Sequence, residues 1–315
     1  MMNMVQPPYL KKNDTITIVA PAGRINGAHI ANAIKHLRRW GFRTKIGDHA
    51  TDAYYGLAGV DEHRCVDLQA AIDDPKTSAI LCARGGYGCG RIVDWVDFSP
   101  LLTTPKWLIG FSDITVLHAR LQRIGLQSIH GVMPKYFPTS TNGHESAKSL
   151  RQALTGRLQS YTVPPHVLNK PGTARGVLRG GNLSILANIA ATPDDIAPDG
   201  AILFIEETDE SPYTIDRMMN NLQRSGKLRR VAGVIVGQFT NIKKDPIMPF
   251  SKEVYKLLAP YLSHLAVPVC YGFPAGHGEP NYALYLGREV VLEVSGKRAP
   301  ITGKAPKAET RIYYI

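Results

Sequence analysis

Two rhythms alternate along the chain: short β-branched or apolar runs, and apolar positions three or four residues apart. Residues 15–20 are a β-branched run closed by Pro21, Ala22 and Gly23, which reads as a strand and its turn. Ile30, Ile34 and Leu37 then mark a helical face, with Gly41 past its last turn as a cap. A short strand is expected at 44–46, and Cys65, Leu68 and Ile72 mark a helix between 61 and 74 that Pro75 stops. Strand 79–83 runs into a glycine-rich loop, Arg84 to Gly90, and a helical piece follows at 91–96. Residues 107–111 form a buried strand. Ile114, Leu117, Leu121 and Ile124 then recur at helical spacing up to Gly125, and 127–132 is a further strand. Alternation of this kind gives a parallel sheet wrapped by helices, whose sites lie outside the carboxyl ends of its strands.

The pattern fades over 156–174, where Pro164, Pro165, Pro171 and Gly172 suggest a linker between a domain at 1–155 and another at 175–315. In the second part, 176–191 carries Leu178, Arg179, Gly180, Gly181 and Asn182 followed by a helical run. Residues 201–205 form a buried strand ending in Glu206 and Glu207, and 213–226 is a helix with Ile215, Met218, Met219 and Leu222 inside. Strands are expected at 231–238 and 290–294, and a capped helix at 251–262. Residues 267–271 lead into an irregular loop, Gly272 to Gly278.

Composition narrows the function classes. Over 315 residues the chain is 44% hydrophobic and 20% charged, ordinary for a globular protein with a real core. No apolar run approaches the roughly 20 residues of a membrane helix, and the first residues lack the apolar segment of a signal peptide, so a cytoplasmic location is expected. The formal net charge of +11 comes from scattered basic pairs without interleaved aromatics, which suits collection of anionic small molecules rather than nucleic acid. Cys65, Cys82, Cys89 and Cys270 form no C-x-x-C pair, and the ten histidines show no metal-ligand spacing on a helix, so no metal or cofactor is expected.

The chemistry concentrates in three places. Ser112 sits where strand 107–111 turns into a helix, a position that lifts a hydroxyl out of a sheet toward free helix amides. It reads either as a nucleophile or as a simple helix cap. The hydrolase pattern G-x-S-x-G is half met, since Ile114 replaces its second glycine. The loop from Arg84 to Gly90 matches neither a dinucleotide fingerprint nor a P-loop; it reads as a tight turn or as backbone amides offered to an oxyanion. Glu206, at a strand end, would orient a histidine or simply face solvent or a helix terminus, and His277, between glycines in a loop, could be a base. Serine needs its proton removed to attack a carbonyl, so these three make sense as a unit.

With those residues in place, the chain resembles the LD-carboxypeptidase family of serine peptidases (family S66), which includes the microcin C self-immunity peptidases. The resemblance runs over almost the whole chain. It is carried by residues 18–23, 58–68, 83–88, 109–113, 178–183, 203–207, 212–218, and Gly276 with His277. It implies a Rossmann-like, parallel-sheet N-terminal domain, a smaller β-rich α/β C-terminal domain, and a homodimer. The implied activity is removal of the terminal D-alanine from a murein tetrapeptide during peptidoglycan recycling. The family pattern assigns Ser112 as nucleophile, Glu206 as carboxylate, His277 as base, and the amides of Gly86 and Asp113 as oxyanion hole. Glu207 is also acidic, but neighbouring strand carboxylates point to opposite faces, so only one can serve. Arg84, Tyr87 and Asn182 are candidate contacts to the muropeptide, whose carboxylates call for donors such as Arg. Two alternatives stand beside this. One is a microcin-type hydrolase of peptidyl or acyl-sulfamoyl nucleotides, disfavoured because Trp40, Trp95 and Trp107 all lie in the first domain. The other is a muropeptide-binding protein without turnover.

Overall fold

The computed structural model describes residues 4–139, 144–243, 253–295 and 309–315. The chain forms two compact units: Met1–Leu158 with Pro280–Gly287, and Gln159–Glu279 with Arg288–Ile315.

The first unit contains β1 (Thr15–Val19), α1 (Gly27–Arg39), β2 (Arg43–Ile46), α2 (Asp61–Asp73), β3 (Thr77–Cys82), α3 (Cys89–Ile92), α4 (Pro100–Thr103), β4 (Trp107–Gly110), α5 (Thr115–Arg123), β5 (Ser128–His130) and α6 (Glu145–Leu154). Its five strands are all parallel, in the order β2-β1-β3-β4-β5, and Leu284–Leu286 adds an antiparallel edge beside β5. The central strands read as unbroken apolar runs because a parallel sheet is covered on both faces, and all of Trp107–Gly110 is buried. From β1 the chain goes outward to β2 and then crosses back to β3 on the other side of β1, so the carboxyl ends of β1 and β3 frame a topological switch point. The loops after β1, β3 and β4 meet there: Gly23 N donates to Gly85 O at 3.0 Å, and Ser112 directly follows Phe111 at the end of β4.

The second unit contains β6 (Ser160–Val163), β7 (Gly172–Asn182), α7 (Leu183–Asn188), β8 (Ile202–Thr208), α8 (Pro212–Arg224), β9 (Gly233–Thr240), α9 (Val254–Leu262), β10 (Val269–Tyr271), β12 (Glu289–Val294) and β13 (Thr310–Tyr314), β11 being Leu284–Leu286 of the first unit. Its sheet runs β10-β9-β8-β7-β12-β13-β6, with β10 to β7 parallel and the remaining pairs antiparallel. The architecture is therefore mixed α/β, with parallel-rich sheets in both units. In α8, Ser211 accepts from Thr214 N, Pro212 fills the first turn, and the expected inner face of Ile215, Met218, Met219 and Leu222 is buried.

Three expectations need correction. The stretch 156–174 is no free linker: it contributes β6 and the first residues of β7 to the second sheet. The C-terminal part does not stay in one unit either, since residues 280–287 complete the first. Helix 91–96 shrinks to α3, which ends at Ile92. The start expected for the helix at 251–262 lies outside the described residues, which show α9 from Val254.

Candidate active site

Ser112 occupies a strained turn. Its φ is +66°, in the left-handed region that costs a non-glycine residue about 1–3 kcal/mol. It is not the helix cap: Ser112 is the first residue of a 3-10 turn that follows Phe111, and Ile114 holds the cap position of α5. Its half-buried hydroxyl makes no hydrogen bond within its own unit among the described residues. The turn needs a glycine beside it. A Cβ on Gly85 would fall 2.8 Å from Ser112 Cβ and 3.0 Å from its Oγ, so only glycine lets the loop after β3 pass this close.

The two loops are also tied together. The buried Asp113 carboxylate accepts from Cys89 N at 2.8 Å, capping α3 and fastening the glycine-rich loop to the Ser112 turn. Burial raises the Asp113 pKa, while the Cys89 amide works in the opposite direction. Beneath, Arg64 is 1% exposed and donates to Pro21 O at 2.7 Å and Gly88 O at 2.9 Å, bracing the loops after β1 and β3. Asp61 pairs with both Arg64 and Arg91. Within the first unit, the backbone amides of Gly86 and Asp113 have no acceptor among the described residues. Arg84 donates from Nη1 to Arg24 O at 2.8 Å, and Tyr87 is 63% exposed.

The second unit holds the carboxylate and the imidazole. Glu206 is fully buried in β8, where pairing with β9 shifts register between Ile205 and Glu207. Such an irregularity re-aims a side chain. His277 Nδ1 lies 2.7 Å from Glu206 Oε2, and the imidazole side chain is 9% exposed. A carboxylate only accepts, so Nδ1 carries the proton and the ring is held in one tautomer. Gly276 has φ +136°, and a Cβ there would sit 3.0 Å from Glu206 Oε2, so this glycine admits the carboxylate to the ring. The next glycine is pinned, Gly278 N donating to Gln238 Oε1 at 2.7 Å. Burial alone pushes the His277 pKa down. The charge and hydrogen bond of Glu206, with Glu207 and Asp209 behind, outweigh it and leave the pKa raised.

Glu207 points the other way, as strand alternation requires. It accepts from Asn182 Nδ2 at 2.9 Å, Ser184 N at 2.7 Å and Thr208 N at 2.8 Å. Burial and the neighbouring Glu206 push it up to about 7, against those three donors. Asn182 in turn caps α7 through Oδ1, which accepts from Ser184 Oγ at 2.7 Å and Ile185 N at 3.3 Å. Its amide thus braces Glu207 and the helix start. Sequence spacing missed Arg64, whose burial nothing local announces, and it missed the grouping of His49, Asp52 and His63. In that grouping both ring Nδ1 atoms lie within 2.9 Å of Asp52 Oδ2, and the potential ligand atoms fall within 4.8 Å of one another. It is the one cluster among the described residues with the donors to hold a metal, though its carboxylate oxygen already has two ring partners. No helix of the described residues is long and apolar enough to cross a membrane.

A half-buried serine on a strained strand-to-helix turn of one α/β unit and a buried carboxylate–imidazole pair in the other are the side-chain types that a serine hydrolase uses. Residues 16–131 match the LD-carboxypeptidase N-terminal domain and residues 175–292 its C-terminal domain. The chain is 36% identical over 303 residues to a probable murein peptide carboxypeptidase of Bacillus subtilis, covering 94% of each protein. It is 32% identical over 287 residues to the murein tetrapeptide carboxypeptidase of Pseudomonas aeruginosa, covering 88% of this chain and 92% of that one. The crystal structure of a muramoyltetrapeptide carboxypeptidase from Oxalobacter formigenes superposes with a TM-score of 0.82 at 26% identity, over 95% of this chain and 98% of that one. The protein belongs to the LD-carboxypeptidase family, S66, and is a serine carboxypeptidase.

Proposed function

We propose that the protein removes the terminal D-alanine from murein tetrapeptides in the cytoplasm, as a step of peptidoglycan recycling. Ser112 Oγ attacks the carbonyl preceding D-alanine, and His277 Nε2 takes the hydroxyl proton. Glu206 keeps the imidazole in the tautomer that leaves Nε2 basic and stabilises the imidazolium that forms. The amides of Gly86 and Asp113 receive the developing oxyanion. His277 returns the proton to the departing amine, D-alanine leaves, and water then hydrolyses the acyl-serine by the same acid–base route.

The observation that carries this reading is the buried pairing of His277 Nδ1 with Glu206 Oε2 at 2.7 Å, which distinguishes Glu206 from its acidic neighbour. The test is incubation with murein tetrapeptide and quantitation of free D-alanine. Tripeptide and D-alanine should appear in equal amounts with the wild-type protein, and Ser112→Ala should abolish release with an unchanged circular-dichroism spectrum. Full activity in Ser112→Ala would remove the nucleophile from the scheme.

A further inference from the structure

Three side chains outside the hydrolytic machinery converge on one point. His49 and Asp52 stand in the turn after β2, and His63 in the first turn of α2. Asp52 Oδ2 lies 2.9 Å from His49 Nδ1 and 2.8 Å from His63 Nδ1. The two rings stack with centroids 3.8 Å apart, and both aim the same nitrogen at that oxygen. Among the described residues, Asp52 forms its ion pairs with these two rings and with no lysine or arginine.

The backbone around them holds this arrangement in place. The buried Asp67 carboxylate accepts from His49 N at 3.0 Å, and Asp52 N donates to His49 O at 3.0 Å, which closes the turn. Gly59, at φ +83°, passes beside the other two side chains. A Cβ there would fall 3.1 Å from Asp52 Cβ and 3.4 Å from His63 Cβ. Spacing along the sequence hides the group, because His63 comes from another element than His49 and Asp52.

We infer that His49, Asp52 and His63 bind a first-row transition-metal dication such as zinc, clasping the turn after β2 to α2. Two imidazoles and one carboxylate suit zinc and its neighbours rather than calcium or magnesium, which take oxygen ligands. Tetrahedral zinc, with bonds of about 2.0–2.2 Å, spaces its ligand atoms about 3.4 Å apart. The Nδ1–Oδ2 distances of 2.9 and 2.8 Å need only open by about half an ångström to admit it. Each ring then carries its proton on Nε2 instead of Nδ1, so two neutral imidazoles donate lone pairs and no proton is lost. The three side chains are between 33% and 44% exposed, so an ion can enter from solvent and water can complete its coordination.

The clasp acts on a segment that supports the loop after β1. Arg24 N donates to Gly56 O at 3.0 Å, and Ala58 N donates to Ala22 O at 3.0 Å. An ion held by Asp52 and His63, on either side of that segment, stiffens it. The ligands lie outside the Ser112 turn, so the ion serves the fold and D-alanine release does not require it.

The experiment titrates tag-free, chelator-stripped protein with zinc chloride by calorimetry, with calcium and magnesium chloride as controls. One zinc per chain should bind, and neither control ion should. His49→Ala, His63→Ala and Asp52→Asn should each weaken zinc binding at least about tenfold, with unchanged circular-dichroism spectra. Zinc should raise the melting temperature of the wild type, because it binds the folded chain, and raise that of each variant less. Hydrogen exchange of the wild type with and without zinc needs no substitution, and it should show protection over residues 48–63. Absence of saturable zinc binding, undiminished binding in any of the three variants, or protection confined to other parts of the chain would overturn the assignment.

Discussion

Replacing Glu206 with Gln removes one charge from a fully buried site while keeping its shape, so the consequences can be worked through residue by residue. The carboxylate accepts from His277 Nδ1 at 2.7 Å through Oε2, and Oε1 is buried with no hydrogen-bond partner among the described residues. A charge-assisted hydrogen bond of this kind contributes about 1.5–3 kcal/mol. The amide either turns its oxygen to Nδ1, leaving a buried NH2 unsatisfied, or turns its NH2 there and forces the other tautomer. In both cases His277 loses the largest support of its raised pKa, and only the charges of Glu207 and Asp209 remain against the burial that pushes it down. A histidine whose folded pKa is raised adds stability that is fully present below its unfolded value, about 6.5, and that is lost as pH rises through the folded value. The variant should therefore lag the wild type most in chemical denaturation near pH 5.5, and the gap should narrow at alkaline pH. Because His277 must be neutral to act as base, wild-type kcat/KM for D-alanine release should rise through a midpoint above about 6.5. In Glu206→Gln, kcat should fall about 10³- to 10⁴-fold, as when a triad loses its tautomer control. A titration of the His277 ring by NMR should show its pKa lower than in the wild type. An unchanged ring pKa together with wild-type kcat would refute the reasoning.

Other outcomes follow from the packing. Gly85→Ala should cut kcat/KM at least about tenfold while lowering stability by only about 1–3 kcal/mol, because the added Cβ meets Ser112 Cβ at 2.8 Å; kinetics and urea denaturation on one preparation check this. Arg64→Ala should destabilise by about 3–5 kcal/mol, since it strips two loop carbonyls and Asp61 of a buried partner, and its urea midpoint measures the loss. Glu207→Gln should cost far less activity than Glu206→Gln, because its partners are Asn182, Ser184 and Thr208 rather than the imidazole; parallel D-alanine assays of the two variants decide. Dialysis against a chelator should leave D-alanine release unchanged, and a large loss restored by added zinc would assign a metal role to His49, Asp52 and His63.

Local signals were legible in the chain and long-range ones were not. The apolar run before Ser112 announced β4, and the periodicity after it announced α5, because both depend only on neighbouring residues. Residues 178–182 and the run before Glu206 likewise became adjacent parallel strands, β7 and β8. Leu284–Leu286 could not be placed: three residues carry no period, and their partner, Ser128–His130, is remote in sequence. Proline marked 156–174 as a linker, yet Tyr161, Thr162 and Val163 pair with β13 as an edge strand, where proline nearby is tolerated. Alternation left Glu206 and Glu207 as equals; the Gly276 loop, which meets only one of them, separates them. Asn182, a candidate ligand contact in the sequence, also caps α7, a part its residue type did not reveal because polar loop residues and helix caps share one vocabulary.

The most direct measurement is mass spectrometry of the acyl-enzyme. The wild-type protein is quenched in acid within milliseconds of mixing with murein tetrapeptide, digested and mapped. The expected result is the mass of the peptide acyl group on Ser112, absent from Ser112→Ala and not formed by His277→Ala. An adduct on any other residue, or steady D-alanine release by Ser112→Ala, would contradict it.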